Sequence, residues 1–149
     1  MKSSSVAKLS SHDRRILLNT CYGHFMSHFN MLVFPALLLP LTARLGIEMA
    51  HVLALSFWMY LLYGVGALPA GMLTDWLGWR PMLALCLFGT GGCALWAAAA
   101  SSPASLRLAL AGLGLFASIY HPTGMSLISQ GVRRRGWALG VNGVFGNLG

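Results

Sequence analysis

Four times between Ile16 and Gln130 the chain runs apolar for long enough to cross a lipid bilayer, and each run ends in a short polar break. The runs are Ile16–Leu41, Val52–Leu73, Pro81–Ala100 and Leu106–Gln130, and a fifth opens near Gly136 and continues to Gly149. A helix rises about 1.5 Å per residue, so crossing the hydrocarbon core takes about 20 mostly apolar residues. Charged residues make up 9% of the 149, against about 25% in a soluble domain. Such a chain cannot cover a water-facing surface with polar groups. The expected fold is all-α, a polytopic transmembrane helix bundle.

Charge gives that bundle a direction. Lys2, Lys8, Arg14 and Arg15 precede the first run, Arg80 lies between the second and third, and Arg133, Arg134 and Arg135 follow the fourth. If the runs alternate across the membrane, these eight share one side, and only Arg44 and Arg107 lie on the other. The positive-inside rule makes the richer side cytoplasmic, which places a cytoplasmic tail over residues 1–15 and a multi-pass protein in a cell membrane, expected to be a bacterial inner membrane. The triple arginine is a topology determinant that also attracts anionic lipid. The net charge of +7 does not imply nucleic acid, because no aromatic-interleaved basic patch on a soluble fold accompanies it. The first run is too long for a cleaved signal peptide and carries Pro35 and Pro40; it reads as a retained helix.

Residues Met1–Asp13 are polar and Ser-rich, and are expected to be mobile. The expected loops, Thr42–Ala50, Thr74–Arg80, Ser101–Ser105 and Gly131–Arg135, are short enough to force antiparallel neighbours. Small residues recur four apart at Gly66/Ala70, Ala67/Gly71, Gly114/Ser118 and Gly136/Gly140, a spacing that lets helix backbones approach closely in lipid. Pro35, Pro40, Pro69 and Pro122 sit in or near the runs, where neighbouring helices can satisfy the carbonyls they free. Cys21, Cys86 and Cys93 fall inside the runs without paired spacing and read as small buried hydrophobes.

The polar residues inside the runs that stand out are His24, Ser27, His28 and Asn30 in the first, and Tyr120, His121, Thr123 and Ser126 in the fourth. An ionisable group at bilayer depth faces the bundle interior or a water-filled cavity and is a functional candidate by default. His24 and His28 are four apart on one helix face. Counted from the helix ends, His121 lies at a comparable depth on its own helix, so the three rings are expected to approach one another. Three readings are open. As proton carriers or substrate contacts they use the side chain that titrates near neutral pH. As ligands, a His-x3-His pair with a third His suits a metal or haem, although no acid or cysteine accompanies them. Otherwise each is a buried group hydrogen-bonded to a carbonyl or hydroxyl. No nucleophile–base or carboxylate pair points to an enzyme, and no phosphate-binding glycine loop is present. The only acids, Asp13, Glu48 and Asp75, lie outside the runs, which also disfavours a small four-span dimeric exporter built on an embedded acid.

The segment from Gly71 to Arg80 resembles the signature loop of the major facilitator superfamily, matching Gly-x-x-x-Asp-Arg-x-Gly-Arg-Arg at Gly71, Asp75, Gly78 and Arg80 and departing from it at Trp76 and Trp79. His28-Phe29-Asn30 followed by Pro35–Pro40, and Gly112-x-Gly114 followed by His121-Pro122-Thr123-Gly124, are similar to spans one and four of the branch containing fosmidomycin-resistance-type transporters. Met31 stands where that branch commonly has aspartate, and Leu108 where the superfamily has a buried arginine. Gly143–Gly149 is similar to the glycine-rich fifth span of exporters.

The resemblance implies the N-terminal part of a secondary transporter over residues 16–149: four spans and the start of a fifth. It implies proton-coupled efflux of a small molecule, with protons or another coupling ion, the lipid bilayer and an absent C-terminal half as partners, and without cofactor, resident metal or nucleic acid. By resemblance Asp75 is the acid of a conformational-switch loop, with Gly71 and Gly78 shaping it and Arg80 as supporting base. The expected substrate- and proton-binding residues are His24, His28, Asn30, Tyr120 and His121. The alternative is a non-transporting membrane bundle that holds haem or a metal through His24, His28 and His121.

Overall fold

A serine decides where the first helix begins. Ser10 accepts a hydrogen bond from the Asp13 amide at 3.0 Å, and the Ser10 amide donates to Asp13 Oδ2 at 3.3 Å. This reciprocal capping box starts α1 (Ser11–Ala36) ahead of the apolar run. The computed structural model describes residues 9–149. The polar stretch expected as far as Asp13 is therefore helical from Ser11, and its first part, residues 1–8, lies outside the described residues.

Every regular element among the described residues is a helix, as the composition predicts. Prolines set the breaks. Pro40 has no N–H for the Ala36 carbonyl, and the first expected span divides there into α1 and α2 (Leu38–Leu45), which meet at 49°. Pro35 frees the Met31 carbonyl in the same way, and Tyr60 Oη from the next span donates to it at 3.2 Å. Gly46 closes α2 in the left-handed conformation, φ 64°, a usual helix stop. The second span is α3 (Met49–Ala54) followed by α4 (Phe57–Leu77), joined by a tightened turn in which Ser56 Oγ donates to the Leu53 carbonyl at 2.7 Å.

The expected loop over Thr74–Arg80 shrinks to one residue. Thr74 to Leu77 complete α4, and Trp79 and Arg80 begin α5 (Trp79–Ala99). Gly78 reverses the chain at φ 85° and ψ 161°, a conformation that a side chain resists. The fourth span starts at Pro103, with Ser102 Oγ accepting from the Ser105 amide at 3.2 Å. It comprises α6 (Pro103–Ala117) and α7 (Tyr120–Gly131). The break at Ser118–Ile119 falls where Pro122 cannot donate to the Ser118 carbonyl. α8 (Arg135–Leu148) completes the chain.

Three helical segments are long and apolar enough to cross a membrane, Met49–Leu77, Trp79–Ala99 and Pro103–Gly131, and the bent pair α1–α2 makes a fourth if taken as one span. Large apolar side chains such as Leu68, Phe88 and Leu95 face outward, and only 22% of the apolar window of α5 is buried. Helices that are apolar all round suit lipid. Neighbours run antiparallel: His12, Asp75, Trp79 and Gln130 border one groove at one end, while at the other Arg44 Nη2 donates to the Ala100 carbonyl at 3.4 Å. Arg14 and Arg15 near the start of α1, and Arg133, Arg134 and Arg135 past α7, therefore share an end with Arg80.

α6 packs against α4 and α5, and α1 against α7 and α8. Two of the small-residue pairs account for the tightest crossing. Gly66 and Ala70 of α4 and Gly114 and Ser118, facing them at the α6 side, are buried, and a methyl on Gly114 would run into the Met59 carbonyl. Gly136 and Gly140 behave otherwise; both are exposed and face open space. Gly114→Ala should therefore force α4 and α6 apart, at a cost of about 1–3 kcal/mol. Gly136→Ala should stay within about 0.5 kcal/mol, and thermal unfolding of the two variants in detergent separates them.

Candidate functional site

Helical spacing puts His24 and His28 on one face of α1, and the Pro122 break puts His121 in the first turn of α7 opposite them. The three rings touch. Centroid separations are 4.9 Å for His24–His28, 5.0 Å for His24–His121 and 5.5 Å for His28–His121. His121 stands edge-on to both partners, with interplanar angles of 90° and 88°. Tyr120 stacks on His24 at 5.0 Å and 23°. His24 and Tyr120 are buried, while His28 and His121 are half-buried.

A polar network fixes these rings. Tyr120 Oη donates to the Thr20 carbonyl at 2.6 Å and accepts from Asn142 Nδ2 at 3.0 Å. His24 Nδ1 lies 2.9 Å from the Asn142 carbonyl. A carbonyl only accepts, so Nδ1 carries the proton and Nε2 keeps the lone pair. His121 Nε2 bonds to Tyr63 Oη at 2.8 Å. Below the rings Thr74 Oγ1, which donates to the Ala70 carbonyl at 2.8 Å, meets Thr123 Oγ1 at 2.6 Å. Glycines make room for the network: a Cβ on Gly23 or Gly124 would press on the Tyr120 ring, and one on Gly146 would press on His24. Ser27 Oγ and Asn142 Oδ1 are buried without a hydrogen-bond partner among the described residues.

Four of the five expected binding residues, His24, His28, Tyr120 and His121, thus form one cluster. Asn30 is not part of it. It borders grooves on the other side of α1, beside Phe29 and Ala94 and beside Met26 and Thr90. Six residues past His24, at about 100° per residue, it points well away from the histidine face. Ser126 also stands apart and accepts from Gln130 Nε2 at 2.6 Å. Sequence reasoning missed Asn142 and Tyr63. Asn142 was legible as a polar residue inside the apolar run after Gly136, where polar side chains face the bundle interior; Tyr63 carries no such signal.

The residues of the expected switch loop gather at one end of the bundle. Gly71 packs against Pro122 and Gly78 makes the turn. Asp75 and Arg80 are exposed and make no ion pair with each other, and the Arg80 guanidinium instead lies 5.0 Å from the Trp79 ring centroid, a cation–π contact. A groove of about 490 Å³ between α1 and α5 runs from Arg15 and Arg80, both exposed, to buried Gly23 and Tyr120, next to the histidines.

Comparison with known proteins gave no matching family model, no significantly similar curated protein and no significantly similar solved structure.

Tyr120→Phe removes the hydroxyl that joins α1, α7 and α8. Hydrogen bonds within membranes average about 0.6 kcal/mol and reach about 1.7, and two are lost here. The expected cost is on the order of 1–2 kcal/mol, read as a lower midpoint of thermal unfolding in detergent.

Proposed function

We propose that the chain acts in secondary active transport, as part of a major-facilitator-type transporter of a bacterial inner membrane that moves a small molecule outward in exchange for protons, with its N-terminus in the cytoplasm. The observation that carries this reading is the convergence of His24, His28 and His121 from two separate spans into one interior cluster. Ionisable side chains among apolar helices are expensive and mark ion or substrate paths, and histidine exchanges its proton near neutral pH. Transporter sites form where broken helices meet near the middle of the bilayer, and His121 sits immediately after the α6–α7 break.

The groove ending at Tyr120 gives a small molecule or water a way in from the end that bears Arg15 and Arg80. Charge supports the orientation, since the basic residues concentrate at that end. Asp75 stands exposed there beside the Gly78 turn, free to engage a partner in one state of a transport cycle and to release it in another. The resemblance of Gly71, Asp75, Gly78 and Arg80 to the superfamily loop adds to this reading.

The test uses everted membrane vesicles from cells expressing the gene, energised by respiration, with an acridine dye reporting the proton gradient. Addition of fosmidomycin, an amphipathic drug or an organic anion should dissipate the gradient for the compound that is exchanged. His28→Ala and His121→Ala should abolish that response, and Asp75→Asn should abolish it while leaving the protein level unchanged. If no compound acts more strongly in these vesicles than in vesicles lacking the protein, the transport reading fails. If the histidine variants respond like the parent, their proton-carrying role fails.

A further inference from the structure

The histidine cluster is more specific than proton exchange requires. One ring nitrogen from each of His24, His28 and His121 lies within 4.8 Å of the other two. An imidazole nitrogen binds zinc at about 2.0–2.1 Å, which puts the ring centroids of two ligands on a tetrahedral ion roughly 5 Å apart. The centroids here are 4.9, 5.0 and 5.5 Å apart. Small rotations of the side chains then bring three nitrogens onto one ion. The His-x3-His spacing on one helix face is itself a chelating pair, since two histidines four apart converge on a metal.

The hydrogen bonds orient the rings for this task. Ligating histidines characteristically donate their other ring N–H to a carbonyl, carboxylate or water. His24 does so, with Nδ1 on the Asn142 carbonyl and Nε2 left with its lone pair. With His121 Nε2 donating to Tyr63 Oη, 2.8 Å away, Nδ1 keeps its lone pair. His28 makes no side-chain hydrogen bond among the described residues, and its ring packs on His24 and His121. Of the two buried atoms without a partner among the described residues, Asn142 Oδ1 belongs to the residue that bonds both His24 and Tyr120, and Ser27 Oγ to the residue before His28 in sequence.

The donor set selects the ion. Three imidazoles with no carboxylate and no thiolate suit zinc, cobalt, nickel or copper and reject the oxygen-seeking calcium and magnesium. A haem does not fit, because imidazoles on opposite faces of its iron are separated by the macrocycle, whereas these rings touch one another and Tyr120. With three neutral ligands the charge of a dication stays uncompensated in an apolar surround, which keeps binding reversible.

We propose that His24, His28 and His121 bind one borderline transition-metal dication, through one ring nitrogen each, and that this ion class is a substrate of the site. The assignment as substrate rests on the transport reading above; the binding does not.

The experiment titrates the purified full chain in detergent, with any affinity tag removed, using Co2+ followed by visible absorption and Zn2+ followed by competition and calorimetry. One ion per chain is expected. His24→Ala, His28→Ala and His121→Ala should each weaken binding at least about tenfold. A double variant of the exposed His12 and His51, both to Ala, should bind as the parent does. X-ray absorption of the zinc-loaded parent, which needs no variant to fold, should show three imidazole nitrogens at about 2.0–2.1 Å. The proposal is overturned if the parent binds neither ion, if binding survives in the three single variants, if it vanishes in the His12/His51 variant, or if fewer than three imidazoles are seen. Binding is read here without flux, so its failure leaves the vesicle response to organic compounds standing, and failure of that response leaves the ion site standing.

Discussion

Asn142 holds the interior together. Its carbonyl accepts a hydrogen bond from His24 Nδ1 and its side-chain amide donates to the Tyr120 hydroxyl, which in turn donates to the Thr20 carbonyl. One residue of α8 thereby ties α1 to α7. Among apolar helices a polar group has no water to fall back on, so an unmade bond costs the full desolvation of that group. Helix contacts in lipid lack a hydrophobic drive, and polar satisfaction is what fixes how α1, α7 and α8 turn about their own axes. The small residues follow from it. Gly23 and Gly124 leave space for the tyrosine ring and Gly146 for the His24 ring.

The breaks in the helices serve the same arrangement. The fourth span breaks at Ser118–Ile119, just before Tyr120 and His121, which follow one another in the first turn of α7 with ring centroids 5.6 Å apart. At the other end of α1, Pro35 releases a carbonyl that Tyr60 recovers from the neighbouring span. These are local losses of helix repaired by long-range contacts.

That division marks what the sequence reveals. Apolar runs of bilayer length, proline positions and the His-x3-His face are local properties, and the helices and the histidine face follow from them. Depth along each helix also brought His24, His28 and His121 to one level. Asn30 lies outside the cluster because of azimuth: two residues from His28, at about 100° each, it is on the opposite side of α1. α1 begins ahead of the apolar run because capping is independent of apolar periodicity, and Ser10 with Asp13 extends the helix beyond that run. The Thr74–Arg80 loop was drawn too long because polar residues were taken as loop, whereas Thr74 returns its hydroxyl to the Ala70 carbonyl inside α4. Tyr63 and the carbonyl of Asn142 enter the site through contacts 58 and 118 residues apart in sequence, which no local pattern encodes.

A fixed tautomer separates the roles of the three rings. His24 is buried and committed through Nδ1, so it presents one nitrogen in one direction. His28 and His121 are half-buried and less constrained; one lacks a hydrogen-bond partner among the described residues, and the other is held only by a hydroxyl that can donate or accept. In the proposed ion site one rigid ligand would stand beside two adaptable ones, an arrangement suited to reversible occupancy. Protons and a metal ion compete for the same imidazole lone pairs, because a ligating nitrogen must be unprotonated. Mutual exclusion at one set of nitrogens is the thermodynamic requirement for exchanging one occupant against the other, and it needs no carboxylate. The scarcity of acids in this chain therefore does not count against coupled transport.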